Sequence, residues 1–436
     1  MGKRTGVMAK WLIQSADEVR EDHGLVIEDG VIVDVVPNTA LAGMEVEDAR
    51  DCMVCPSFVN THMHMYGVLS HGKSKPASLN ELSLKPYLEA YWWPEVEDRI
   101  DQERAEITAA YACADMIRSG TTCFSDILEA PYAGRGVLAR EAKVVEGAGM
   151  KAILSLEASQ RVSEENGLEA LEENRGFLLA QRAKGSQVRG MMCTHTTFSC
   201  SPQFLRLARQ MAREADSKLQ LHMSEGADES AYCHAQYGKS PAAFYTDLGF
   251  WDEDVLATQC VVMDPVEISL LARHGVSVSH QPISNAGCGH GIAPVVEMLQ
   301  AHIKMGLGSD GNDNNMFSIM NTAGYLQRAS HLLRSVLPAS QLFDMATRQG
   351  AEILGFFQVG TLHPGKQADY LAVRADLPTP VTAQNAVGQL VSFRGAGDIA
   401  LVVAGGQPLC RNGQLLTMDE KRVRAALLEA AAEFWR

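Results

Sequence analysis

The chain has 436 residues, 46% hydrophobic and 21% charged, with a formal net charge of −15. That length accommodates a large α/β core with additions, and that composition excludes a disordered or fibrous protein. The acidic balance argues against nucleic acid or an anionic membrane as partner, because both need a basic footprint. Ten cysteines are scattered along the chain, and Met1 to Ala16 holds no continuous apolar run. No stretch approaches the ~18 apolar residues of a membrane span. The expectation is a cytoplasmic protein with reduced thiols, the Cys52/Cys55 pair included.

Residues 8–55 read as short strands. Met8–Ile13 is one, and a hairpin of Leu25–Ile27 and Val31–Val36 turns at Asp29-Gly30. Val54 and Phe58-Val59 read as one buried strand with Pro56 near its start. It ends in His62 and His64, whose i, i+2 spacing puts both imidazoles on one face. Helical and extended patterns then alternate. Helices are expected over Asp101–Ser119, Val137–Gly149, Leu168–Arg182, Pro202–Ala215 and Pro265–Arg273. Strands are expected at Thr121–Phe124, Lys151–Leu156, Val188–Cys193, Leu219–His222, Val255–Val262, Val276–His280 and Ile303–Gly308.

About eight strands with intervening helices predict a parallel (β/α)₈ TIM-like barrel over residues 56–362. After helices spanning Leu333 to Leu354 the chain returns to strands near Gly365–Val373, Ile399–Val403 and Leu409–Thr417, then to a helix from Glu420. The ends, 1–55 and 363–436, are expected to form one small composite β-sandwich domain that carries the C-terminal helix.

His62, His64, Asp126, His195, His222, Gln259, His280 and Asp310 all fall at or just past strand C-termini, the active-site face of such a barrel. His62, His64, His222 and Asp310 are the candidate metal ligands. Three imidazoles and a carboxylate suit one divalent transition ion, zinc first and iron as the alternative, and leave a position for water whose pKa the ion lowers. Glu225, three residues past His222, can reach that water or a substrate as general acid and base. Tyr91-Trp92-Trp93 follows the first barrel strand, where Trp92 can stack on a planar substrate or simply pack a lid. For His71, Lys73 and His290 a solvated loop is the default, with approach of the Gly-rich Gly287–Gly291 loop of His290 to the ligand as the alternative.

The chain resembles the amidohydrolase superfamily, in its branch of cytosine deaminases, methylthioadenosine/S-adenosylhomocysteine deaminases and triazine chlorohydrolases. The resemblance rests on Pro56–His64, Met116–Thr122, Thr194-His195 with Cys200–Pro202, and Leu221–Glu225. It continues through His280–Asn285, Gly291–Val295, Gly306–Gly311 and Gly360–Asp369. It implies a mononuclear site where hydroxide attacks an sp² carbon of a small heterocycle, with Asp310 also accepting the water proton and Glu225 serving the leaving group. By the same resemblance His195 contacts substrate and Asn285 joins the substrate-binding set. A homo-oligomer follows by analogy alone.

One position departs from that pattern. Where the deaminases carry a histidine at the end of the sixth strand, this chain has Gln259, and His234, His274 and His280 all belong to other elements. Glutamine can donate or accept a hydrogen bond but cannot titrate. Three alternatives follow: Gln259 orients the water by hydrogen bonding, His280 supplies a neighbouring imidazole, or the leaving group needs less proton transfer. The expected function is therefore hydrolytic deamination of a purine, pyrimidine, pterin or s-triazine. Removal of chloride or alkylamine from an s-triazine-like ring, or cyclic amide hydrolysis, stands second. A non-catalytic binding or scaffold protein stands third.

Overall fold

A computed structural model describes residues 4–436. The first three residues of the Met1–Ala16 stretch and of the 1–55 segment lie outside the described residues. Eight parallel strands form the barrel: Phe58–Met63, Thr121–Leu128, Lys151–Leu156, a fourth in two pieces (Val188–Gly190 and Met192–Thr194), Leu219–Met223, Val255–Gln259, Ser277–His280 and Met305–Leu307. The first piece of the fourth strand pairs with the third strand and the second piece with the fifth. A parallel bridge between Met63 and Asp310 closes the ring.

The helices between strands start where the sequence places caps. Asp264 and Glu267 form a reciprocal capping box ahead of Pro265–Arg273, and Ser201 accepts from Phe204 N–H at the start of Pro202–Glu214. The helix Arg348–Leu354 seals the N-terminal end of the barrel, where Ile353, Leu354 and Phe356 pack with Val59, Ile153 and Leu256. Only the C-terminal ends of the strands are left open.

The two chain ends build one nine-stranded sheet. Its order runs Gln414–Leu415, Gln407–Arg411, Ile399–Ala404, Tyr370–Arg374, Glu45–Pro56, Arg4–Ile13, His23–Glu28 and Val31–Pro37, with Val19–Glu21 pairing on Arg4–Ile13. The sheet curls until Val31 bridges Gln367 and Ala368 N–H donates to Gly30 C=O. Its enclosed face buries Val7, Leu25, Ile32, Tyr370, Leu401 and Val403.

Three local expectations change. Val54 and Phe58 are not on one strand: Glu45–Pro56 belongs to the sheet, Pro56 lying opposite Tyr370, and the barrel begins after Ser57. Proline brings no N–H to continue a ladder, so the chain changes partner there. The helix after the eighth strand is Met316–His331, ended by Leu332 at φ +51°, and Leu333–Pro338 is a loop. The C-terminal helix Glu420–Phe434 lies on the barrel helix Gln102–Arg118, with Phe434 buried and Trp435 Nε1 donating to Leu69 C=O at 2.7 Å. All ten cysteines are free and nine are buried. Among the described residues no helix is long and apolar enough to cross a membrane.

Sheet and barrel are joined by a buried ion pair at the closed end. Lys151 Nζ donates to both Asp369 oxygens at 2.9 and 2.8 Å, and the same carboxylate accepts from Gly405 N–H and Thr122 Oγ1.

Candidate active site

At the open end the strand termini deliver His62, His64, His222 and Asp310 to one point. His64 Nε2 stands 3.1 Å from Asp310 Oδ1 and 3.3 Å from His222 Nε2, and His62 Nε2 is 3.8 Å from Asp310 Oδ1. Donors about 2.1 Å from one ion lie no more than about 4.2 Å apart, so these separations suit a shared ion. Both ring nitrogens of His62 are buried without a hydrogen-bond partner, as is Nδ1 of His222. A buried imidazole with no partner is costly unless something absent from the protein itself engages it. His64 Nδ1 is tied to Ile127 C=O at 2.8 Å, which turns its Nε2 toward the cluster in the way metal-ligating histidines are oriented. The donor set fits a divalent metal ion.

The electrostatics agree. Burial holds His62 well below the usual histidine range, and His64 and His222 add to that, so it is neutral. Burial works against charge on His64 too, yet the Glu129 and Asp310 carboxylates raise it well above its ordinary value. Asp310 is itself held well below the carboxylate range, the His64 and His62 rings outweighing burial.

Gln259 sits beside Asp310. Its Nε2 donates to Asp310 Oδ2 at 3.1 Å, while its own N–H is fixed by Gln281 Oε1 at 2.8 Å. Ser224, Gln259 and Asp310 all have positive φ (49°, 76° and 58°), a left-handed backbone that costs about 1–3 kcal/mol at a bulky residue and collects at functional sites. Gln259 thus acts on a carboxylate of the cluster.

At the cluster opens a cavity of about 980 Å³, lined by His64, Glu129, His195, His222, Glu225 and Asp310 and also by Trp92, Tyr87, Leu84 and His290. One flank is acidic. Glu129, directly after the second barrel strand, has Oε1 3.8 Å from His222 Nε2 and 4.0 Å from His64 Nε2, and Tyr66 donates its hydroxyl to the other oxygen. Burial alone would raise the Glu129 carboxyl, but His64 and His222 bring it well below the usual range. Its neighbours Glu157 and Glu97 are pushed well above it, by burial first and then by Glu129. Arg161 answers part of this charge, pairing with Glu97 at 2.9 Å and Asp98 at 2.8 Å. His195 presents Nε2 3.8 Å from Glu157, with Nδ1 on Ser199 Oγ; burial lowers it to about 3.

Comparison with known proteins gives this geometry a family. The model of the amidohydrolase family matches residues 53–409. The chain belongs to the amidohydrolase family. The 5'-deoxyadenosine deaminase of Methanosarcina mazei is 33% identical over 414 residues, covering 94% of this chain and 93% of that protein. The 5-methylthioadenosine/S-adenosylhomocysteine deaminase of Desulforudis audaxviator is 34% identical over 407 residues, 91% of each. Among solved structures, an adenosine deaminase from Xanthomonas campestris with bound zinc superposes at a TM-score of 0.86 and 26% identity, over 99% of this chain and 97% of that one. This amidohydrolase is therefore an enzyme, with the barrel expected from its sequence.

The fold brings His62, His64, His222 and Asp310 into one cluster, places Gln259 on Asp310, and lines the cavity with Glu225, His195 and Trp92. His280 and Asn285 are not brought to the cavity wall: both are buried, their side-chain polar atoms have no partner, and burial lowers His280 to about 4. One residue was missed. Glu129 gave no spacing signal, being a single carboxylate after a strand, although its place at a barrel-strand C-terminus was a usable cue. For His290 the alternative to a solvated loop holds: it lines the cavity with Nδ1 3.2 Å from Glu225 Oε1.

Proposed function

We propose that this amidohydrolase hydrolytically deaminates a small nitrogen heterocycle, and that its substrate is an adenosine-type nucleoside. The observation that carries the reading is the convergence of His62, His64, His222 and Asp310, the last three lining a cavity whose wall also presents Glu225. A divalent ion held by those four, zinc by preference and iron as the alternative, supplies the Lewis acidity that activates water near neutral pH. Asp310 takes the proton of the attacking water, and Gln259 keeps its carboxylate aimed. Glu225 gives a proton to the ring nitrogen next to the attacked carbon. The water proton on Asp310 passes to the amine, which leaves as ammonia as the C–N bond breaks, and Glu225 regains a proton from the new hydroxyl as the C=O forms. His195 and Trp92 contact the substrate.

The two relatives named above act on adenosine derivatives, which supports the substrate class. So does the volume of about 980 Å³, at the upper end of the roughly 300–1,000 Å³ of small-molecule sites and larger than a bare ring needs. Ten free thiols fit a reducing, cytoplasmic location. The same reading takes 1–55 with 363–436 and 56–362 as the two structural units, and the active molecule as a homo-oligomer. The test is ammonia release across 5'-modified adenosines, adenine, guanine, pterins and s-triazines. Highest kcat/KM on the adenosines is expected, and release of chloride or alkylamine without ammonia would overturn the reading.

A further inference from the structure

We propose that His290 is a positioning residue for Glu225, holding the catalytic carboxylate at the cavity wall through its Nδ1. The inference rests on the deaminase reading, since it assigns Glu225 its work. Glu225 follows Ser224, whose backbone is fixed on three sides: its C=O accepts from Val261 N–H at 2.9 Å and Val262 N–H at 2.8 Å, and its N–H donates to Glu229 Oε2 at 2.5 Å. The backbone before the carboxylate is therefore rigid, but the carboxylate itself is held by no backbone group. Among the described residues its one partner is His290, 3.2 Å away.

His290 is mounted as firmly. It lies between Gly289 at φ +75° and Gly291 at φ +122°, conformations that glycine adopts without strain, and its own N–H donates to Asn285 C=O at 2.9 Å. The loop is thus tied back to the helix Pro282–Gly287, with the imidazole over the cavity. Side-chain exposures of 12% for His290 and 15% for Glu225 separate this pair from a solvated surface ion pair, which contributes little. Among the described residues no group hydrogen-bonds His290 Nε2, so the ring meets the carboxylate on one side only.

Groups facing His290 from neighbouring elements are Glu225, Asp310 and Asp228, with Cys288 in its own loop and Lys75 near Cys288. Burial lowers His290, but Glu225 and the other carboxylates raise it above the ordinary histidine value. The protonated ring, whose Nδ1 lies within ion-pair distance of Glu225 without a hydrogen bond, therefore persists to higher pH than in a free histidine and is lost as pH rises through the raised value.

Two measurements test the proposal. In metal-loaded protein carrying ¹³C-labelled histidine, the signal that disappears in His290→Gln is followed against pH in the wild type and in Glu225→Gln. Its midpoint is expected to drop by about one pH unit in Glu225→Gln, and an unchanged midpoint overturns the contact. In kinetics, His290→Ala is expected to lower kcat about 10-fold or more, with KM within about threefold. Added imidazole should restore part of that loss, and His290→Gln, which keeps an N–H donor, should retain more activity than His290→Ala. A raised KM at wild-type kcat makes His290 a substrate contact and overturns the proposal. Melting temperature and metal content check that the variants fold. The titration needs no substrate, so a wild type that releases no ammonia sinks the deaminase reading without touching this contact.

Discussion

The two ends of the barrel hold buried polar clusters of opposite character. At the closed end, Lys151, Asp369, Thr122, Ser57 and Gly405 N–H satisfy one another. At the open end, the ring nitrogens of His62, one of His222 and an oxygen of Glu157 are buried with no partner, and Ser224, Gln259, Cys260 and Asp310 have left-handed backbone. The same eight strands support both. A complete network ties the sheet to the barrel and asks for nothing more, whereas orphaned donors converging beside strain mark where an ion and a substrate belong. The first cluster concerns stability and the second chemistry, and substitutions should separate them.

The largest expected effect is at the open end. His222→Ala should lose the bound metal and lower kcat/KM by about 10³-fold or more, since it removes a ligand rather than weakening one. Its melting temperature in chelator should stay close to that of the equally metal-free wild type, and a large drop there would blur the division. Glu225→Gln should retain metal and fold while kcat falls about 10²–10⁴-fold, the range of a lost general acid. Unchanged turnover would remove Glu225 from the mechanism.

At the closed end the readout inverts. Asp369→Asn or Lys151→Met should destabilise the protein by about 3–5 kcal/mol in denaturant unfolding, because the partner stays buried and charged. Activity per folded molecule should be unchanged, and a lowered kcat would mean that the two ends communicate. A smaller effect is expected from Gln259→Ala, which frees Asp310 Oδ2 and should weaken metal affinity about 10–100-fold, as for other groups that orient a ligand. The pH dependence follows from His64. Its raised pKa means that protons compete with metal at higher pH than at an ordinary histidine, so metal binding should release a proton and weaken as pH falls through that raised value. Isothermal titration in buffers of different ionisation enthalpy measures the proton count.

Much of this was legible in the sequence because its signals were periodic. The barrel followed from alternating strands and helices, and His62, His64, His222 and Asp310 from their places at strand ends. The junction at Ser57 was not, since Val54 to Val59 reads as one apolar run and only pairing with Tyr370 shows the sheet taking its first half. Glu129 was hidden and His290 left open for related reasons. A lone carboxylate after a strand has no period, and a histidine in a glycine-rich loop has no fixed direction until the loop is folded. Gln259 was visible as a departure, but that it serves Asp310 required coordinates.

Metal content measured alongside activity tests the central claim most directly. Purified protein should carry about one transition ion per chain, ammonia release should rise in proportion to occupancy on reconstitution, and His62→Ala should lose both. Full activity in metal-free protein, or stoichiometric metal retained in His62→Ala, would contradict the account.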